Sequence, residues 1–235
     1  MSDRFFVDRP LGPGDVTLEG PEAHHLTAVR RFAVGDVITL FSGDGREYPA
    51  RIVQIGKKWV TVQVTEVLTP ERELGFRLHI AAAMPKGDRG DFLIEKLTEL
   101  GVTDFTPLVT ERGVVKADEA KADKLRRAVI EASKQCGRNV LMRVHTPARW
   151  LDWCARQKGR RLIAHPGDPT AVAPERGAAT IAIGPEGGFT GAEVEAALRA
   201  GWERVSLGPR ILRVETAAMA AAVLCGTGLQ PVRTS

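Results

Sequence analysis

The chain has 235 residues, 43% of them hydrophobic and 26% charged, with 33 Lys+Arg against 29 Asp+Glu for a net charge of +4; this is the composition of a globular protein of one large domain or two small ones. It excludes a disordered chain, which could not bury enough apolar surface to offset chain entropy, and a membrane-spanning helix, because the longest apolar run, Ala217 to Cys225, has 9 residues where a bilayer needs about 20. The opening Met-Ser-Asp-Arg has no apolar signal core, and Cys136, Cys154 and Cys225 are too scattered for a disulfide framework or a zinc site, so a cytoplasmic protein without a metal is expected.

Residues 1–70 read as short strands with turn punctuation: Arg4–Val7, Val16–Leu18, Asp36–Phe41, Arg46–Ile55 and Trp59–Val67, with Ser42-Gly43-Asp44-Gly45 as one turn. Pro21–Arg30 reads as a helix with Pro in its first turn. A small β-barrel is the expected result, followed by the polar linker Thr69–Glu73. From Phe76 the period changes. Phe76–Met84 is a nearly continuous apolar run, as in a strand buried on both faces. Asp91–Leu100 has leucines at helical spacing with Gly101 past its end. Thr103–Val109 is a strand, and Ala120–Cys136 a helix with Leu125, Val129, Ala132 and Cys136 on one face. Leu162–Ala164, Thr180–Ile183 and Arg204–Leu207 are short buried strands. Between the last two, Thr190 and Glu193 form a capping box and Gly201 closes the helix. An Ala-rich helix covers about Val214–Cys225. Strands alternating with helices predict a parallel sheet with helices on both faces. The expected domains are residues 1–70 and 74–235.

Two loops carry the chemistry. Ile183-Gly184-Pro185-Glu186-Gly187-Gly188 runs from a buried strand to a capped helix, where an open α/β sheet binds its ligands. Its glycines admit a ligand to the backbone, and it fits neither G-x-G-x-x-G nor the Walker loop. Leu207-Gly208-Pro209-Arg210-Ile211-Leu212-Arg213-Val214-Glu215-Thr216 again links a strand to a helix, and the two loops can wall one pocket. Arg213 and Glu215 bring charge into this apolar stretch, either to pair with each other, to cap the last helix or to face a polar ligand. His165 ends a third strand and reads either as a structural residue or as part of the same mouth. The charge excess lies in residues 71–160, with 18 Lys+Arg against 13 Asp+Glu. There Lys121, Lys124, Arg126, Arg127, Lys134, Arg138 and Arg143 face only Asp123 and Glu131, a pattern that suits phosphate binding or a solvated helix face.

Taken together, Gly184-Pro185-Glu186-Gly187-Gly188 and Leu207-Gly208-Pro209-Arg210-Ile211-Leu212-Arg213-Val214-Glu215-Thr216-Ala217 resemble the bacterial 16S rRNA (uracil-N3) methyltransferase family of the SPOUT class. Arg4-Phe5-Phe6 and His24-His25-Leu26 with Val29-Arg30-Arg31 are similar to its N-terminal signature. Lys86-Gly87-Asp88-Arg89, Glu95–Val102 and Gln135-Cys136-Gly137-Arg138-Asn139 are similar to its central motifs. Two positions depart from the pattern: Gly113 stands where a Ser, Thr or Cys is expected, and Lys134 where Glu is usual.

The resemblance implies a PUA-like β-barrel followed by a SPOUT-type α/β domain with a C-terminal trefoil knot. It also implies S-adenosylmethionine as cofactor, a homodimer, and 16S rRNA of the small ribosomal subunit as substrate, methylated at N3 of a uridine. The cofactor would lie among His165, Ile183, Gly184, Pro185, Glu186, Gly187 and Gly188 on one side. On the other would stand Leu207, Gly208, Ile211, Leu212 and Arg213. Arg4, Arg30, Arg31, Lys86, Arg112, Lys116, Arg127, Lys134 and Arg138 would contact RNA. N3 must lose a proton, so a cation is needed for the charge left on the uracil carbonyls. The expected catalytic cations are Arg213 and, on the basic segment, Arg138 or Arg112. Glu215 is expected either as proton acceptor or as the residue that orients Arg213. The alternatives are another SPOUT RNA methyltransferase, acting on a ribose 2′-hydroxyl or another base, and an RNA-binding protein without activity.

Overall fold

The computed structural model describes residues 3–29, 31–113, 122–165 and 172–227. The chain divides into two units, Met1–Glu73 with Ile130–Leu141, and Leu74–Val129 with Met142–Ser235. Among the described residues no helix is long and apolar enough to cross a membrane.

The first unit opens with β1 (Arg4–Phe6), β2 (Gly14–Glu19), α1 (Gly20–His24), β3 (Val37–Phe41), β4 (Tyr48–Ile55) and β5 (Trp59–Val64). Their sheet order is β1-β3-β4-β5-β2, antiparallel except for the parallel pair of β1 and β3. Alternation along the strands sends Val16, Leu18, Ile38, Leu40, Ile52, Val60 and Val62 into one core, which Ala23 and Leu26 help to close. The helix expected over 21–30 forms as one α-helical turn that widens at His25–Val29 into a π-helical turn.

In this unit the segment expected as a linker is anchored. Arg72 donates to the Gly137 carbonyl at 2.8 Å and pairs with Glu47, and Glu73 accepts a fork from Arg138, Nη2 to Oε2 at 2.6 Å and Nε to Oε1 at 3.1 Å. Arg4 is buried and bonds Glu47 and Asn139. Burial works to raise the Glu47 carboxyl, but hydrogen bonds from Arg72 and Arg4 outweigh it and hold the group below its ordinary value.

The second unit holds β6 (Leu78–Ala83), α2 (Asp88–Glu99), β7 (Asp104–Val109) and the first turns of α3 (Ala122–Cys136), whose later part belongs with the first unit. It continues with β8 (Arg143–Val144), β9 (Ala148–Arg149), α4 (Trp150–Cys154), β10 (Arg161–Ala164), β11 (Ala179–Ile183), α5 (Gly191–Arg199), β12 (Glu203–Val205) and α6 (Val214–Thr227). All its strand pairs are parallel, in the order β12-β10-β11-β6-β7-β8 with β9 also on β7. Every residue of β6 and β11 is buried, as expected of mostly apolar strands covered on both faces, with His79 and Thr180 their polar members. Ala81, Ile163 and Ala182 face the aromatic cluster of Trp150, Trp153, Phe189 and Trp202, under α4 and α5. On the other face α6 packs on β6 and β11, with α2 against it.

Both helix ends expected at glycines are built as expected. Gly101 and Gly201 each take φ +80, and the following N–H reaches back, Val102 to Leu97 and Trp202 to Ala197, each at 3.0 Å. The capping box of α5 is complete, with Thr190 and Glu193 each holding the other's backbone N–H. Sequence periodicity missed β8, β9 and α4, because two-residue strands and a five-residue helix are too short to show a period.

Candidate active site

The carboxyl ends of β10, β11 and β12 carry Ala164, Ile183 and Val205, and a cavity of about 340 Å³ opens beyond them. Parallel strands leave a crevice here because the loops after successive strands splay to opposite sides. Both expected loops line it. From the first come Ile183, Gly184, Pro185, Glu186, Gly187 and Gly188, and from the second Leu207, Gly208, Ile211 and Leu212. His165 joins them, with Arg112, Arg210, Phe189 and Ala217 completing the wall.

The first loop folds tightly because side chains are missing where the backbone crosses itself. A Cβ on Gly184 would stand 3.0 Å from both the Phe189 ring and its backbone nitrogen, tighter than ordinary contacts, and Gly188 takes φ +69. Arg112 then covers the loop: its Nη1 donates to the Gly187 carbonyl at 2.7 Å.

Glu193 holds this arrangement from below. Besides its capping role its buried carboxylate accepts the Glu111 N–H at 2.9 Å, so the helix cap also fixes the segment that presents Arg112. The sequence shows Glu193 only as a capping residue; its reach to a segment 82 positions away has no local signal.

Arg89 is a further residue that sequence reasoning passed over. At the start of α2 it lies 3.1 Å from Glu186 of the first loop and 3.6 Å from Glu215 at the start of α6. Glu215 is buried, and its Oε2 has no hydrogen-bond partner among the described residues. The pairing of Glu215 is therefore with Arg89; Arg213 is exposed and outside the cavity lining, one residue beyond Leu212. In the cavity wall His165 has its backbone N–H on the Val205 carbonyl at 3.2 Å, and its Nδ1 is buried with no partner among the described residues.

The cations expected at RNA divide into two groups. Arg4 and Arg138 are buried in the first unit, and Lys134 pairs with Glu22 and Glu131. Arg138 gives its fork to Glu73 and is not among the cavity-lining residues. The physical reason is cost: a buried guanidinium needs a fixed anion, and Glu47 and Glu73 supply it. Arg31, Lys86, Arg112 and Arg127 are exposed. Arg30 and Lys116 lie outside the described residues.

A family model for an RNA methyltransferase domain matches residues 72–225, and one for an RNA methyltransferase PUA domain matches residues 18–65. Ribosomal RNA small subunit methyltransferase E of Bacillus subtilis is 35% identical over 218 residues, covering 86% of this chain and 85% of that protein. Its namesake from Synechocystis is 33% identical over 212 residues, 86% of this chain and 69% of that protein. Among solved structures, a Legionella pneumophila methyltransferase in complex with bound SAM superposes with a TM-score of 0.87 at 34% identity, over 95% of this chain and 96% of that one. Ribosomal RNA small subunit methyltransferase E from Neisseria gonorrhoeae, bound to S-adenosyl methionine, gives 0.86 at 30% identity, again over 95% and 96%. The loops, the sheet and the comparisons agree, and the chain belongs to the ribosomal RNA small subunit methyltransferase E family.

Proposed function

We propose that this chain methylates N3 of a uridine in 16S rRNA of the small ribosomal subunit. Its family makes it an rRNA methyltransferase with S-adenosylmethionine as the methyl donor. One observation carries the cofactor's location: the cavity beyond β10, β11 and β12 joins a loop that closes against Phe189 only because Gly184 has no Cβ to a buried Nδ1 on His165 that has no partner among the described residues. Apolar walls with a few convergent polar groups, at this volume, suit a nucleoside-bearing ligand. The bound cofactor supplies a methyl group on a sulfonium, already activated for transfer.

In this reading the 183–188 and 207–212 loops hold the cofactor through backbone groups and apolar contact, and His165 gives one directional hydrogen bond. Arg213, just past Leu212, is the cation for the charge that N3 deprotonation leaves on the uracil carbonyls. Glu215 is buried and pairs with Arg89 rather than Arg213, which sets aside the orienting role and leaves its unbonded carboxylate oxygen as the candidate proton acceptor. Because N3 takes part in base pairing, the uridine must be unpaired or turned out of its stack. Arg31, Lys86, Arg112 and Arg127 are the cations left to hold the RNA backbone. Arg4, Lys134 and Arg138 act within the protein instead. The 207–227 segment is proposed to thread the family's trefoil knot, and the chain to work as a cytoplasmic homodimer.

The test is methyl transfer to small subunits that lack the modification, followed by mass spectrometry of the nucleosides. 3-Methyluridine is expected; a 2′-O-methyl nucleoside or another methylated base would replace this reading by a different RNA methyltransferase. Arg213→Ala is expected to lower the rate at least a hundredfold, as loss of one oxyanion-stabilising donor does elsewhere, with S-adenosylmethionine affinity changed little by calorimetry.

A further inference from the structure

The second unit contains another cavity, of about 440 Å³, that shares no lining residue with the first. Arg77 and His79 border it at the start of β6, Thr106 on β7, His145 after β8, and Arg149 and Arg156 on either side of α4. Behind these residues lies the buried Asp104. It accepts from Arg77 Nε at 2.9 Å, His145 Nε2 at 2.7 Å and the Thr103 hydroxyl at 2.9 Å. Burial alone would raise this carboxyl, but those donors hold it well below the carboxylate range. Its charge is permanent, and it fixes the directions of Arg77 and His145.

His79 is fixed as well. Its Nδ1 accepts from Arg77 Nη2 at 3.2 Å, so its Nε2 bears the proton and meets the Thr106 hydroxyl at 2.8 Å. The remaining cations face outward. Arg156 spends only Nε, on the Asp152 carbonyl at 2.9 Å, and Arg149 lies 3.8 Å from the Asp152 carboxylate with 82% of its side chain exposed. Three guanidiniums therefore stand against two carboxylates, and one of those carboxylates, Asp104, is sealed behind the wall. Such an excess of guanidinium donors, with Arg77 oriented by Asp104, suits a tetrahedral oxyanion, since guanidinium forks match phosphate oxygens.

We propose that this cavity binds a phosphate group. The group comes either from the RNA backbone, as a phosphodiester, or from a free phosphorylated metabolite. The chemistry recognised is the same in both cases. The site stands apart from the cofactor cavity, so it does not depend on the uridine assignment above.

The full chain is titrated with inorganic phosphate at constant ionic strength, chloride replacing it, while the His145 ring and the arginine Nε–Hε resonances are followed by NMR. Saturable shifts at Arg77, Arg149 and Arg156 are expected, with affinity roughly tenfold weaker in Arg149→Gln/Arg156→Gln, the loss of charge-assisted hydrogen bonds. Both side chains are solvent-facing, and an unchanged melting temperature checks that the variant folds. Absence of saturable shifts, or equal affinity in the variant, would reduce the cluster to an internal ion-pair network and overturn the proposal. Filter binding to 16S rRNA then separates the sources. Weaker rRNA binding in the variant, with a shallower salt dependence, identifies the phosphodiester. Unchanged rRNA binding with lost phosphate binding identifies a free phosphorylated ligand.

Discussion

The two cavities of the second unit are built on opposite plans. The one beyond β10, β11 and β12 is shaped by what its loops lack: glycines let the backbone turn on itself, and its polar groups are few. The one beside α4 is shaped by what its walls carry: arginines and histidines aligned by a buried carboxylate. The first is sensitive to added volume and indifferent to bulk pH in its backbone contacts. The second tolerates changes of size at its rim and is sensitive to protons. Under the two proposals, a large nucleoside-bearing cofactor uses the close backbone approach of the first cavity and a small anion uses the charge of the second.

The largest expected effect lies in the charged cavity. Burial pushes the His79 imidazole down to about 4 from an ordinary 6.5. The unfolded chain therefore takes up its proton first, so the stability tied to neutral His79 is complete above about pH 6.5 and drains as pH falls toward 4. That loss amounts to roughly 3 kcal/mol, from about 1.4 kcal/mol for each pKa unit. Asp104, held below the carboxylate range, stays charged throughout this window. Urea unfolding at pH 7 and pH 4.5 measures the slope. His79→Gln, which can keep an acceptor toward Arg77 and a donor toward Thr106, is expected to flatten it; an equal slope in the variant would move the acid sensitivity elsewhere.

Next comes added volume in the glycine-walled cavity. Gly184→Val forces the Phe189 ring and backbone apart, and overpacking of this kind costs about 2 kcal/mol. S-adenosylmethionine affinity by calorimetry is expected to fall about thirtyfold. His79→Gln at neutral pH should leave that affinity unchanged, and a shared loss would mean that the cavities are coupled. The smallest effect is expected at the cover of the first loop. Arg112→Ala removes the bond to the Gly187 carbonyl and one rim cation, about 1 kcal/mol, so cofactor affinity should weaken about fivefold. Arg112→Lys should restore the charge without the directional bond, and its rRNA affinity measured beside its cofactor affinity separates the two contributions.

Much of the fold was legible in the sequence because its signals are local. The apolar run of Leu78–Ala83 announces a doubly covered strand. Thr190 and Glu193 are three residues apart, within one helical turn, and Gly101 and Gly201 satisfy a backbone requirement at their own positions. The two loops that wall the cavity beyond β10, β11 and β12 were legible too, since each is a contiguous strand–turn–helix passage. Charge was the least legible property. Seven cations from Lys121 to Arg143 suit either phosphate binding or a solvated helix face, yet Lys134 and Arg138 are held by Glu22 and Glu73.

The sequence by itself determined the period of each element, the caps and the places where the backbone must turn without a side chain. All of these depend on interactions within a few residues. Only the tertiary structure decided which charges are spent. Arg4 reaches Asn139 across 135 positions, Arg112 reaches Gly187 across 75, and His145 reaches Asp104 across 41. An arginine carries the same charge and donors in any sequence context. Whether it serves the fold or a ligand depends on the anion that folding brings beside it, because burial makes an unpaired charge too costly to keep.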